Sequence, residues 1–166
     1  MSRAFVKEDT GELEPLPDLP ISPHPNYVTP RGLAALRARL VARQGDLASL
    51  RARAERLDKL PEAAAERDIR YLEARLRSAI LVDPIGQGCS EVRFGHRVLV
   101  DQDGDELAYE IVGEDEADAG LNRVAPQSPL ARALLGAQVG DVVVWRRPSG
   151  AVELEVLEIR IADQGA

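Results

Sequence analysis

The chain changes its hydrophobic rhythm twice. Between Thr29 and Ala79 apolar residues recur at steps of three and four. Leu33, Leu36, Leu40, Leu47, Leu50, Ala54 and Leu57 come first; beyond Pro61 follow Ala65, Ile69, Leu72, Leu76 and Ala79. That spacing keeps one face of a helix apolar. Arg43 falls where an apolar residue is due, and Gly45 costs about 1 kcal/mol against alanine. Thr29 is placed to cap the first helix, with Pro30 at its first position. Two such helices, of about 28 and 18–20 residues, predict an antiparallel coiled-coil hairpin about 30–40 Å long. Its turn falls at "RLDKLPE", residues 56–62.

From Val82 the period shortens to two. "HRVLVDQDGDELAYEIVG" reads as strand, turn and strand, with Asp103-Gly104 in the tight turn. "DVVVWRRPSGAVELEVLEIRI" predicts a second hairpin turning at Pro148-Ser149-Gly150. Between them, "SPLARALLG" (128–136) is a short helix: Ser128 caps it, Pro129 opens it and Gly136 ends it. Its Leu130, Leu134 and Leu135 are the candidates to pack on one face of the sheet. Residues 1–28 have no such rhythm. They are proline-rich and acidic, too poor in apolar surface to offset ordering entropy, and predict a flexible or loosely docked tail. The resulting division is tail 1–28, hairpin 29–80 and an α+β domain over 81–166.

Charge sharpens that division. The 166 residues carry a net −7, distributed as −3 over 1–28, +5 over 29–80 and −9 over 81–166. Only 4% of residues are aromatic, so the core is aliphatic. The single cysteine, Cys89, excludes an internal disulfide framework and is read as a partly buried loop thiol. Neither an apolar run of membrane-spanning length nor a signal-peptide core is present, so the cytoplasm is the default compartment.

No catalytic signature stands out. Nucleophile elbow, zinc-binding helix motif and phosphate-binding glycine loop are all missing. His24 and His96 lack ligand-like neighbours. The carboxylates of 101–106 and 114–118 have no ligand spacing and read as solvated loops. The hairpin arginines fall mostly off the apolar seam, which places them outside the rod. Such a surface is either solubilising or suited to an acidic channel or nucleic-acid phosphates. Asp58 and Glu62 lie at the hairpin's end. Carboxylates there either favour the second helix's N-terminus or are delivered into another protein's active site.

The combination resembles the bacterial Gre transcript-cleavage factors. The resemblance rests on "TPRGLAALRARL", on "DIRYLEARLRSAILVDP", and most strongly on "FGHRVLVDQDGDELAYEIVGEDEA", "SPLARALLG", "VGDVVVWRRPSG" and "LEVLEIRI". It implies an FKBP-like C-terminal domain that docks on RNA polymerase while the coiled coil enters the secondary channel. On that reading Ser128, Pro129, Ala131, Arg132, Leu135 and Gly136 bind polymerase, and Arg51, Arg53, Arg56, Lys59 and Arg67 face the channel. RNA polymerase is the implied partner, with nascent RNA or DNA inside the elongation complex, and the protein itself is a monomer.

The resemblance also implies an accessory factor with no cofactor of its own, sharing at most the Mg²⁺ of the polymerase. In the family, two tip carboxylates sit in a D-x-x-E-N-A-x-Y type motif and support hydrolysis of backtracked RNA. Here the tip reads "DKLPEAAAERDIRY". Asp58 and Glu62 are four positions apart, Pro61 intervenes, and the arms are about one heptad short, which withdraws the tip by roughly 10 Å. The expectation is therefore an elongation regulator with weak or no cleavage stimulation. The alternatives are an active cleavage factor using Asp58 and Glu62 and, from another class, a peptidyl-prolyl isomerase suggested by the fold alone.

Overall fold

The computed structural model of the protein describes residues 13–55 and 57–165. Tail residues 1–12 and Arg56 lie outside the described residues, and so do the expectations placed on them.

Strand β1 (Tyr27–Val28) leads into helix α1 (Pro30–Arg51); helix α2 (Leu60–Ser78) returns to strand β2 (Ile80–Leu81). β1 and β2 pair in parallel, so the hairpin's two ends are stitched together at its base. The Thr29 hydroxyl accepts the Gly32 N–H at 2.9 Å and caps α1, with Pro30 at the first position. Val28, Leu36 and Leu72 form the buried seam, flanked by half-buried Leu33, Leu40, Tyr71 and Leu76.

α1 stops six residues before Leu57, the last periodic apolar position of the first arm. Leu57 is 93% exposed. A helix extended that far would gain no burial for its ordering. At Arg43, where the apolar rhythm breaks, the guanidinium crosses to α2 and donates to Asp68 at 2.7 Å, with a second donation to Asp46. The gap in the apolar pattern is filled by an ion pair.

The second part is a five-stranded sheet in the order β5-β4-β3-β7-β6. It comprises β3 (His96–Gln102), β4 (Asp105–Ile111), β5 (Arg123–Val124), β6 (Val142–Arg147) and β7 (Gly150–Ile161). β3 and β4 turn at Asp103 and Gly104, both at positive φ, as a turn matched to right-handed strand twist requires. β6 and β7 turn at Pro148-Ser149. All neighbours are antiparallel except short β5, which lies parallel to β4.

One face of the sheet presents Val98, Val100, Tyr109, Ile111, Leu154 and Val156 to helix α3 (Pro129–Leu134). α3 answers with Leu130, Ala131 and Leu134, all buried, each leucine contributing about 1.5–3 kcal/mol by burial. Leu135 ends the helix and is left 38% exposed, so only two of the three leucines serve the core. The expected α+β architecture, a helical hairpin followed by an antiparallel sheet domain with one short helix, is the one the chain adopts. Cys89 is exposed, not partly buried.

Candidate functional site

Two places hold the candidate residues, and they differ in kind. At the hairpin tip, Asp58 is exposed and its Oδ1 accepts the Leu60 N–H at 2.9 Å, a local contact that organises the start of α2. Glu62, in the first turn of α2, is only 7% exposed. The two carboxylates therefore do not project together as an exposed pair. Of the basic residues, Arg51 bridges to Glu66 at 2.6 Å and Arg67 to Asp68 at 3.1 Å. Arg53 is exposed, Lys59 half-buried.

Around α3, Ser128 caps the helix by accepting the Ala131 N–H at 3.2 Å. Gly136, at φ +83, turns the chain back, and its N–H donates to the Val92 carbonyl. Pro129, Arg132, Leu135 and Gly136 are exposed on this short helix and its exit. Ala131 is not: at 0% exposure its methyl packs into the sheet core and cannot touch a partner. Val139 is exposed just beyond. Edge strand β6 turns Val143 and Trp145 inward and exposes Val142 and Val144. Exposed aliphatics beside a helix and along an open sheet edge are the composition of a docking surface.

Between the two places lies a third feature, which carries the rod. Arg75, on α2, is 1% exposed; it donates to Asp115 at 2.6 Å and to the Asn26 side-chain oxygen at 2.7 Å. The Tyr71 hydroxyl donates to the other oxygen of Asp115. Burial and this carboxylate push the phenol up to about 12. On the facing side Arg31 donates to Glu110, Glu116 and the Asp163 carbonyl, while the Thr29 hydroxyl donates to Glu116. Burial alone would lower Arg31, but its two carboxylates outweigh that and raise it. Asn26 ties the hairpin ends further, donating to the Arg75 carbonyl and to Ser78.

Two glycines make this approach close. A Cβ on Gly113 would sit 2.5 Å from the Tyr27 carbonyl oxygen, and one on Gly32 2.6 Å from a Glu116 oxygen. The carboxylates of 114–116, read from sequence as solvated, are half-buried and hold arginines of the hairpin. Arg31 and Arg75 likewise face inward, not outward along the rod. The available signal was the charge division itself. A segment at +5 beside one at −9 is what two mutually neutralising surfaces look like in sequence.

Among the described residues no group of three or more histidine, cysteine, aspartate or glutamate side chains could hold a metal ion. His24 is exposed. His96 is fully buried, its Nδ1 accepting the Arg93 N–H at 3.0 Å, and burial lowers its pKa, so it is a neutral structural group. No described helix is long and apolar enough to cross a membrane.

Comparison with known proteins places the sheet domain. Residues 87–161 match the family described as "Transcription elongation factor, GreA/GreB, C-term". The chain is 42% identical over 102 residues to transcription elongation factor GreA of Alkalilimnicola ehrlichii, a match covering 60% of this chain and 65% of that protein. It is 43% identical over 96 residues to GreB of Neisseria meningitidis serogroup B, covering 57% of this chain and 59% of the relative. The chain thus spans just under two thirds of the length of these relatives. Among solved structures it is similar to Gfh1 of Thermus aquaticus, at 25% identity, a TM-score of 0.40 and coverage of 81% and 97% of the two chains. Over residues 87–161 this chain therefore carries the C-terminal domain described for the GreA/GreB family.

Proposed function

We propose that the protein is a transcription elongation factor that binds bacterial RNA polymerase. Its sheet domain docks through the exposed surface of α3, while the hairpin is directed into the secondary channel and regulates elongation with weak or no stimulation of transcript cleavage. It is an accessory factor, and any Mg²⁺ involved belongs to the polymerase. The observation that carries this reading is the division of labour just described. A domain of the GreA/GreB family holds a rod through a buried ion network, so docking the domain aims the rod. The tip supports a regulatory role over a catalytic one. Asp58 is engaged locally, Glu62 is largely covered, and hydrolysis supported by a carboxylate pair needs both groups within reach of one metal ion.

The test of docking is a pull-down of core polymerase with the full chain carrying Arg132→Glu and Leu135→Asp. Both side chains are exposed, so the fold is retained, and binding falls at least tenfold if this surface docks. Unchanged binding removes the assignment. The active-cleavage alternative is decided by incubating backtracked complexes with the wild type and with Asp58→Ala, Glu62→Ala. Cleavage that is robust in the first and lost in the second would replace the regulatory reading.

A further inference from the structure

The segment 13–25 does not leave the hairpin as a loose tail; it runs along the rod from base to tip. At the base the Ser22 hydroxyl donates to Glu114 at 2.9 Å. Midway Arg70 of α2 donates to the Asp18 carboxylate at 2.6 Å and to the Leu16 carbonyl at 2.8 Å. Leu19 helps line a groove with Arg39, Ala42, Asp68 and Leu72, residues of both helices. Farther out, Leu13 and Pro15 lie beside Arg51, Glu62 and Ala63, next to the tip. Leu16 and Leu19 are half-buried while their neighbours are exposed, so the segment rests on the rod by two leucines. Prolines at 15, 17, 20, 23 and 25 keep it extended and lower the entropy lost on docking.

We propose that residues 13–25 form a displaceable strap that covers one flank of the hairpin and must lift before the tip can engage its partner. This rests on the reading that the rod enters a polymerase channel. The strap is built to be weak. Its ion pair is exposed, with Asp18 at 76%, and is screened by salt. Its apolar hold is two half-buried side chains, which puts it at the low end of local stability. It carries Glu14 and Asp18 onto a rod of net +5 and adds a third chain to the two helices. A channel that takes the rod without the strap waits for the open state. Waiting lowers apparent affinity by the open fraction.

The experiment uses the full chain. A nitroxide placed at Glu14→Cys, in a Cys89→Ser background, broadens the amides of Arg51 and Ala63 when the strap is closed. Asp18→Arg with Leu19→Asp abolishes that broadening. Asp18→Arg alone weakens it, and adding Arg70→Asp restores it by exchanging the charges. Core polymerase binds the opened variant about threefold to tenfold more tightly than wild type. No broadening in the wild type overturns the strap. Broadening with equal affinity in all variants overturns its gating role. Binding absent from every variant overturns the functional reading and the gating with it, whereas broadening reports the strap whether or not polymerase binds.

Discussion

The base and the tip of the hairpin use the same residue types to opposite ends. At the base Arg75 is buried and Arg31 half-buried among Glu110, Asp115 and Glu116, and their ion pairs are all to another segment of the chain. Toward the tip Arg51 pairs across the hairpin at the surface, Arg53 is exposed, and apolar side chains such as Leu57 point into solvent. Charge at the base fixes an orientation, since breaking one buried contact strands its partner. Charge at the tip fixes little and leaves side chains able to meet another molecule. A rod that is rigid where it is held and plain where it ends is a presentation device.

Perturbations of the two ends should therefore differ in size. The largest effect is expected for Arg75→Ala, which leaves Asp115 half-buried without its cation; urea denaturation should register a loss of about 3 kcal/mol. Gly113→Ala drives a methyl against the Tyr27 carbonyl, a backbone atom that cannot swing aside, and should cost about 2 kcal/mol in the same assay.

Next comes Tyr71→Phe, at about 1.5 kcal/mol near neutral pH for the hydrogen bond to a charged acceptor. The pH dependence sharpens this case. The folded phenol titrates near 12 against about 10 when unfolded, so its contribution is complete below pH 10 and is lost as pH rises toward 12. Melting temperatures at pH 9 and 11.5 should diverge more for the wild type than for Tyr71→Phe.

Arg43→Leu restores the apolar rhythm while removing a half-exposed pair with Asp68, and should change stability by less than about 1 kcal/mol in either direction. Burial would raise Asp68, but hydrogen bonds from Arg43 and Arg67 outweigh it and hold the carboxyl low. The pair's contribution is therefore present above about pH 4 and lost below it. Asp58→Ala should be smallest, about 0.5 kcal/mol for one exposed local acceptor. A loss at Asp58 as large as that at Arg75 would erase the distinction between base and tip.

The elements that depend on local period and capping could be read in advance. Thr29 and Ser128 cap where their neighbours suggested, and both hairpins turn at the anticipated residues. The contacts that assemble the parts could not. Arg75 and Asp115 are 40 positions apart and Arg31 and Glu116 are 85 apart, separations over which no hydrophobic period carries information. The same lack of local signal hid the course of residues 13–25, whose prolines advertise extension but not the surface they follow. Of the docking candidates, Ala131 could not be told from Arg132 without knowing which side of a six-residue helix faces the sheet.

The parallel stitch of β1 to β2 has a consequence for how such molecules can change. It closes residues 29–79 into a single insertion whose two ends are fixed to each other at its base. A heptad removed from each arm would shorten the reach by about 10 Å and leave the stitch and the ion network beneath it untouched. Length and grip are thus independently heritable. A lineage could trim or extend the probe in helical turns without rebuilding the platform that aims it.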